Sequence, residues 1–154
     1  MVQLKKTAMT LLALMACVSL QASDKNPELR MERFFQVNKD FLSSVKQGNK
    51  EKVLITVQSF ENLFEDFETM ELCYPVFINQ RDKAGKPALY HAVNSNYDNV
   101  ACLLLQLGAN SRCVDKDSAR LEDIARKNGN AYLQGILIDA NADYIKSNHK
   151  KQKN

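Results

Sequence analysis

Asp82-Lys83-Ala84-Gly85-Lys86-Pro87-Ala88-Leu89-Tyr90-His91-Ala92, continued by Val100-Ala101-Cys102-Leu103-Leu104-Leu105-Gln106-Leu107-Gly108-Ala109, decides the fold, because the residues after it repeat its spacing. Asp82-Lys83 and Asp115-Lys116 are 33 residues apart, as are Ala92 and Ala125, Val100 and Leu133, and Leu103–Leu105 and Ile136–Ile138. A period in this range marks stacked units that bury their apolar faces only against neighbours. Within one unit, Asp82–Gly85 is a turn signal, with Gly85 able to take a positive φ. Pro87 opens a short helix through Leu89 and Ala92. Asn94–Asp98 is a polar break, and Val100–Leu105 is a second, more apolar helix closed at Gly108.

The turn, helix, turn, helix order resembles the ankyrin repeat, whose pattern D-x-x-G-x-T-P-L-H-x-A and V-x-x-L-L-x-x-G-A is matched by Asp82, Gly85, Leu89, Ala92, Val100, Leu103, Leu104, Gly108 and Ala109. Pro87-Ala88-Leu89-Tyr90 stands at the T-P-L-H tetrad, so that tetrad's usual side-chain hydrogen bonds cannot form. The resemblance implies an all-α fold, a short ankyrin-repeat solenoid of about three helix-turn-helix units. The last unit, Asp115–Ser147, is degenerate. Glu122 stands where leucine is expected, with Leu121 available to replace it, and Asn141 stands at the closing left-handed position.

Asn26-Pro27-Glu28 is a helix start, with Phe34, Val37, Phe41, Leu42 and Val45 following as one stripe to Gly48-Asn49. Val53, Leu54 and Val57 begin the partner helix, and Ser44–Gly48 has the register of Ala125–Gly129. From Ser44 to Ala92 is 15 residues more than one period, so an insert follows the first unit. It falls around Ser59–Pro75, where Phe60, Leu63, Phe64 and Phe67 interleave with Glu61, Glu65, Asp66, Glu68 and Glu71. Phe60, Phe64 and Phe67 share a face if one helix continues through them. The insert then reads either as a lengthened helix packing its aromatics or as an acidic prong for a basic partner surface.

The chain has 154 residues and a formal charge of +3, which becomes +1 once Lys5 and Lys6 are set aside, giving no global attraction for nucleic acid or anionic lipid. Met1–Lys6 is a short basic region and Thr7–Leu20 an uncharged apolar run, the layout of an export signal over residues 1–22. Two processing routes stand open. One is cleavage after Ala22; the other uses Leu14-Met15-Ala16-Cys17, which resembles a lipobox ending at residue 16 with lipid on Cys17. Residues 23–145 then form the repeat domain, and 146–154 a basic tail expected to be irregular. Export puts Cys73, Cys102 and Cys113 in an oxidising compartment, where one bridge and one spare thiol are expected with the pairing open.

No catalytic signature is present: no nucleophile elbow, no phosphate-cradling loop, no H-E-x-x-H helix and no metal-ligand spacing. His91 reads as a packing or surface residue. The expectation is a non-catalytic protein with no cofactor and no metal. Ankyrin stacks bind proteins through their turn tips and the inward face of their first helices. Carried onto this chain, the resemblance implies tip positions Lys83, Lys86, Lys116 and Asp117, and helix-face positions Tyr90, Asn94 and Lys127. Tyr90 is the expected aromatic anchor, and Phe64 and Phe67 of the insert are added as contacts. The resemblance further implies a single protein partner in the periplasm. Small exported ankyrin proteins of this kind are similar to immunity proteins that neutralise secreted toxins, including type VI secretion phospholipase effectors. A periplasmic adaptor or chaperone for an envelope enzyme is the alternative.

Overall fold

The computed structural model describes residues 27–64, 67–112 and 119–151, with the backbone alone at residues 27, 30, 67 and 143–151. The segments expected to hold the export signal, Cys17 and Cys113 lie outside these residues. Among the described residues the chain is all-α, in seven helices. Three helical pairs form the body: α1 (Pro27–Lys46) with α2 (Lys50–Glu61), α4 (Ala88–Asn94) with α5 (Asp98–Gln106), and α6 (Leu121–Lys127) with α7 (Ala131–Lys151). Helix α3 (Phe67–Ile78) is inserted after the first pair. The first helices pack as a row, α1 on α4 on α6, and the second helices as another, α2 on α5 on α7.

The same turn joins each pair. Gln47, Gly48 and Asn49 donate backbone N–H bonds to Ser43, Val45 and Ser44 at 3.1, 3.0 and 3.1 Å. Ser95, Asn96 and Tyr97 repeat this on His91, Val93 and Ala92, as do Asn128, Gly129 and Asn130 on Ile124, Arg126 and Ala125. The middle residue is left-handed in all three, with φ of +67° at Gly48, +56° at Asn96 and +73° at Gly129. Glycine and asparagine are the residues that take this conformation at least cost. Asn49 and Asn130 then cap the following helices, their side-chain oxygens accepting the amides of Lys52 and Leu133 at 2.9 Å.

One core runs through all three pairs. Phe34, Phe41 and Val45 of α1 are buried against Val53, Val57 and Phe60 of α2, with Val37 and Leu42 half-buried beside them. Leu89, Ala92, Val100 and Leu104 continue it, and Leu121, Ala125, Leu133 and Leu137 complete it. Leu121 takes over the apolar role, while Glu122 is half-buried and paired with Arg120 at 2.7 Å.

Three expectations need correction. Helix α2 ends at Glu61, where the Asn62 amide closes it onto the carbonyls of Gln58 and Phe60, so Phe60, Phe64 and Phe67 do not lie on one continuous helix. The Phe64 ring instead folds back on Phe60, centroids 5.1 Å apart. Asn141 is no left-handed cap: it is buried inside α7, accepting from Ser111 Oγ at 2.7 Å and donating to Glu122 Oε2 at 3.3 Å. With those partners and no glycine or proline after Gly135, nothing stops the helix there. For the same reason the tail expected to be irregular from residue 146 is helical through Lys151. Lysines near a helix C-terminus also oppose its negative end. Cys73 is buried and Cys102, half-buried on α5, is a free thiol, so these two are not joined.

Candidate functional site

The turn tip before α4 is built around one carboxylate. Asp82 Oδ1 accepts the amides of Ala84 and Lys86 at 2.9 and 3.0 Å, and its backbone N–H donates to Lys86 O at 2.9 Å. Gly85, at φ +77°, donates to Asp82 O at 2.8 Å, and Arg81 Nη1 donates to Gly85 O at 2.7 Å. Asp82 Oδ2 lies 3.2 Å from Lys46 Nζ and 3.0 Å from His91 Nε2. Burial pushes this carboxyl up, but the Lys86 amide, the Lys46 ammonium and the nearby His91 outweigh it and bring it down to about 2. Burial and the Lys46 charge lower His91, against an opposing pull from Asp82.

Beside the tip, Lys86 lies across Tyr90. Its Nζ is 4.4 Å from the ring centroid and donates to the tyrosine hydroxyl at 2.9 Å. Tyr90 is consequently only 8% exposed. This corrects the expected anchor: ring face and hydroxyl are already engaged within the chain. Lys83 is exposed at the tip.

Asn94 and Lys127, one period apart, are both exposed at the ends of α4 and α6. The two helix ends are tied together by Asn128, whose Nδ2 donates to the Asn94 carbonyl at 3.1 Å. Lys46 holds the same place on α1, one residue before the turn donor Gln47, and reaches Asp82 of the next pair. Sequence reasoning passed over Lys46, although the register of Ser44–Gly48 with Ala125–Gly129 contained the signal. The structure thus sets Lys46, Asn94 and Lys127 at equivalent ends of the three first helices, with Lys46 turned onto Asp82 and Lys83 exposed at the tip. Phe64 is half-buried against Phe60 and packed rather than projecting. Lys116, Asp117 and the Phe67 side chain lie outside the described residues.

The junctions between pairs are specific. The Tyr97 ring lies over Gly48 so closely that a Cβ there would sit 2.9 Å from three ring atoms. Asn130 Nδ2 donates to Asp98 Oδ1 at 2.7 Å. Such links hold the exposed positions in one geometry.

Chemically, the Asp82–His91–Lys46 group is a structural node, with the imidazole committed to the carboxylate that orders the turn. Among the described residues no group of three or more His, Cys, Asp and Glu is arranged to hold a metal ion. No helix there is long and apolar enough to cross a membrane. A hollow of about 390 Å³ between α1 and α2, lined by Asp40, Ser43, Gln47, Lys52, Ile55 and Thr56, is open to solvent. No protein-family model matches this chain, and no curated protein matches its sequence.

Proposed function

We propose that this chain is an ankyrin-like repeat protein that acts without catalysis by binding one protein partner in the bacterial periplasm. The observation that carries the reading is the exposed pair Asn94 and Lys127, at equivalent ends of packed first helices, set in register by the repeated turn and tied together through the Asn128 side chain, with Lys83 exposed at the neighbouring tip. A face already fixed in its bound geometry loses little ordering entropy on association. The N-terminal basic and apolar runs support export, and Cys17 is the residue that lipid processing would modify. The resemblance to small exported ankyrin proteins supports the more specific role of an immunity protein, one that covers the active site of a secreted toxin such as a type VI phospholipase effector.

The test is a pull-down from the native bacterium with tagged protein beginning at Ser23, read by mass spectrometry. One stoichiometric partner with a hydrolase signature, inhibited by the purified chain, is the expected result. The triple variant Lys83→Glu, Asn94→Glu, Lys127→Glu should lose that partner while keeping its circular dichroism. Unchanged binding by the variant removes the first-helix face from the proposal. Recovery of envelope proteins alone points instead to an adaptor or chaperone.

A further inference from the structure

Helix α3 is divided lengthwise. Cys73, Phe77 and Ile78 are buried, with the Phe77 ring stacked on Phe60 at 3.9 Å and set against Phe41 at 4.7 Å. The opposite face exposes Glu68, Glu71, Leu72, Pro75 and Val76, positions that share one side at helical spacing. Leu72, 76% exposed, is the most exposed large apolar side chain among the described residues, and Val76 is 37% exposed one turn on. The helix belongs to the stretch that interrupts the 33-residue period, so the three stacked pairs do not account for this outer face.

Charge separates along the same line. From Val53 to Gln80 five carboxylates stand with no Lys or Arg, while the rest of the chain from Pro27 carries an excess of six positive charges. An apolar strip edged by carboxylates fits an apolar strip edged by ammonium or guanidinium groups. It repels phosphate backbones and anionic lipid headgroups. A second copy fits poorly, because like faces repel. Pairing of α3 with the lysines after residue 145 of a second copy would appear as a dimer in the sedimentation test below.

We propose that the outer face of α3 is a docking ridge for a basic amphipathic helix of the partner, with Leu72 and Val76 in its apolar strip and Glu68 and Glu71 opposite its cations. This deepens the recognition reading above and rests on it.

The probe is a fluorescein-labelled Leu/Lys amphipathic helix of about 18 residues, five turns, titrated into the full chain and followed by anisotropy. Binding is expected at low salt and weakening as salt rises, with no binding of a Leu/Glu peptide of the same pattern. Leu72→Glu, and separately Glu68→Lys with Glu71→Lys, should each weaken it about tenfold or more. All three positions are exposed, so melting temperatures should hold; the charge-reversal variant stands alone if Leu72→Glu does not fold. Equal affinity of wild type and variants, no binding of the Leu/Lys peptide, or equal binding of the Leu/Glu peptide overturns the ridge. Sedimentation showing a wild-type dimer that the variants lose assigns the face to a second copy, and also overturns it. The two readings separate in the native pull-down. A partner held equally by wild type and α3 variants removes the ridge and keeps recognition. Peptide binding that depends on α3, with no native partner recovered, keeps the ridge and removes recognition.

Discussion

Gly48 and Gly129 occupy the same place in the same turn, yet replacing each with alanine should not cost the same. Both have left-handed φ, +67° and +73°. Alanine in that conformation costs roughly 1–2 kcal/mol. At Gly129 an added Cβ meets nothing within 4 Å, so Gly129→Ala should cost only that backbone penalty. At Gly48 the Cβ would sit 2.9 Å from Cδ1, Cδ2 and Cε1 of Tyr97, and the ring must move. Overpacking of this kind adds about 1–3 kcal/mol, bringing Gly48→Ala to roughly 2–5 kcal/mol. For a chain of this size each kcal/mol lowers the Tm by about 2–4 °C. Urea unfolding followed by circular dichroism measures both variants, with a second probe to check two-state behaviour. In a Tyr97→Ala background the excess at Gly48 should vanish, since the obstructing ring is gone. Equal destabilisation at the two glycines, or an excess that survives Tyr97→Ala, would refute the seating of the first pair on the second through this ring.

Acid should release the node at the turn tip. Because Asp82 titrates lower folded than unfolded, the stability it contributes is complete above about pH 4 and is lost as pH falls toward about 2. Asp82→Asn should flatten stability against pH in that window. His91 is also lowered, so protonating it opposes folding, and its imidazole should titrate by NMR below its ordinary 6.5. Phe77→Ala removes a buried ring stacked on Phe60 and should cost roughly 3–5 kcal/mol in denaturant unfolding. Asn130→Ala should cost about 1–3 kcal/mol and exceed Asn49→Ala, because Asn130 both caps α7 and donates to Asp98 whereas Asn49 caps α2.

Much of the helical order was legible because one spacing fixed it. The offset from Ala92 to Ala125 placed α4 to α7, and the register of Ser44–Gly48 placed the first turn. Local cues of the same kind marked Gly85 and Gly108 as left-handed. What escaped was decided by contacts distant in sequence or by side-chain reach. The spacing of Phe60, Phe64 and Phe67 suits a continuous helix, and only the closure at Asn62 with the collapse of Phe64 on Phe60 rules it out. Asn141 has the residue type of a left-handed cap, but Ser111, 30 residues away, supplies a partner that keeps it helical. Tyr90 looked like an anchor because nothing in the sequence says that Lys86 will lie across it.

The three turns close with the same bonds, but each junction between pairs is keyed differently. The first accepts a tyrosine ring over a glycine and a lysine on an aspartate. The second accepts two asparagine amides, on Asn94 and on Asp98. A spliced duplicate of the middle unit would present Ser95 and Tyr97 where Asn128 and Asn130 now stand, and would find no matching groups. Identical hinges with unlike keys therefore give the chain an address for every unit. Its length and order are written at the seams, and shuffling or extending the units would require rewriting those seams as well.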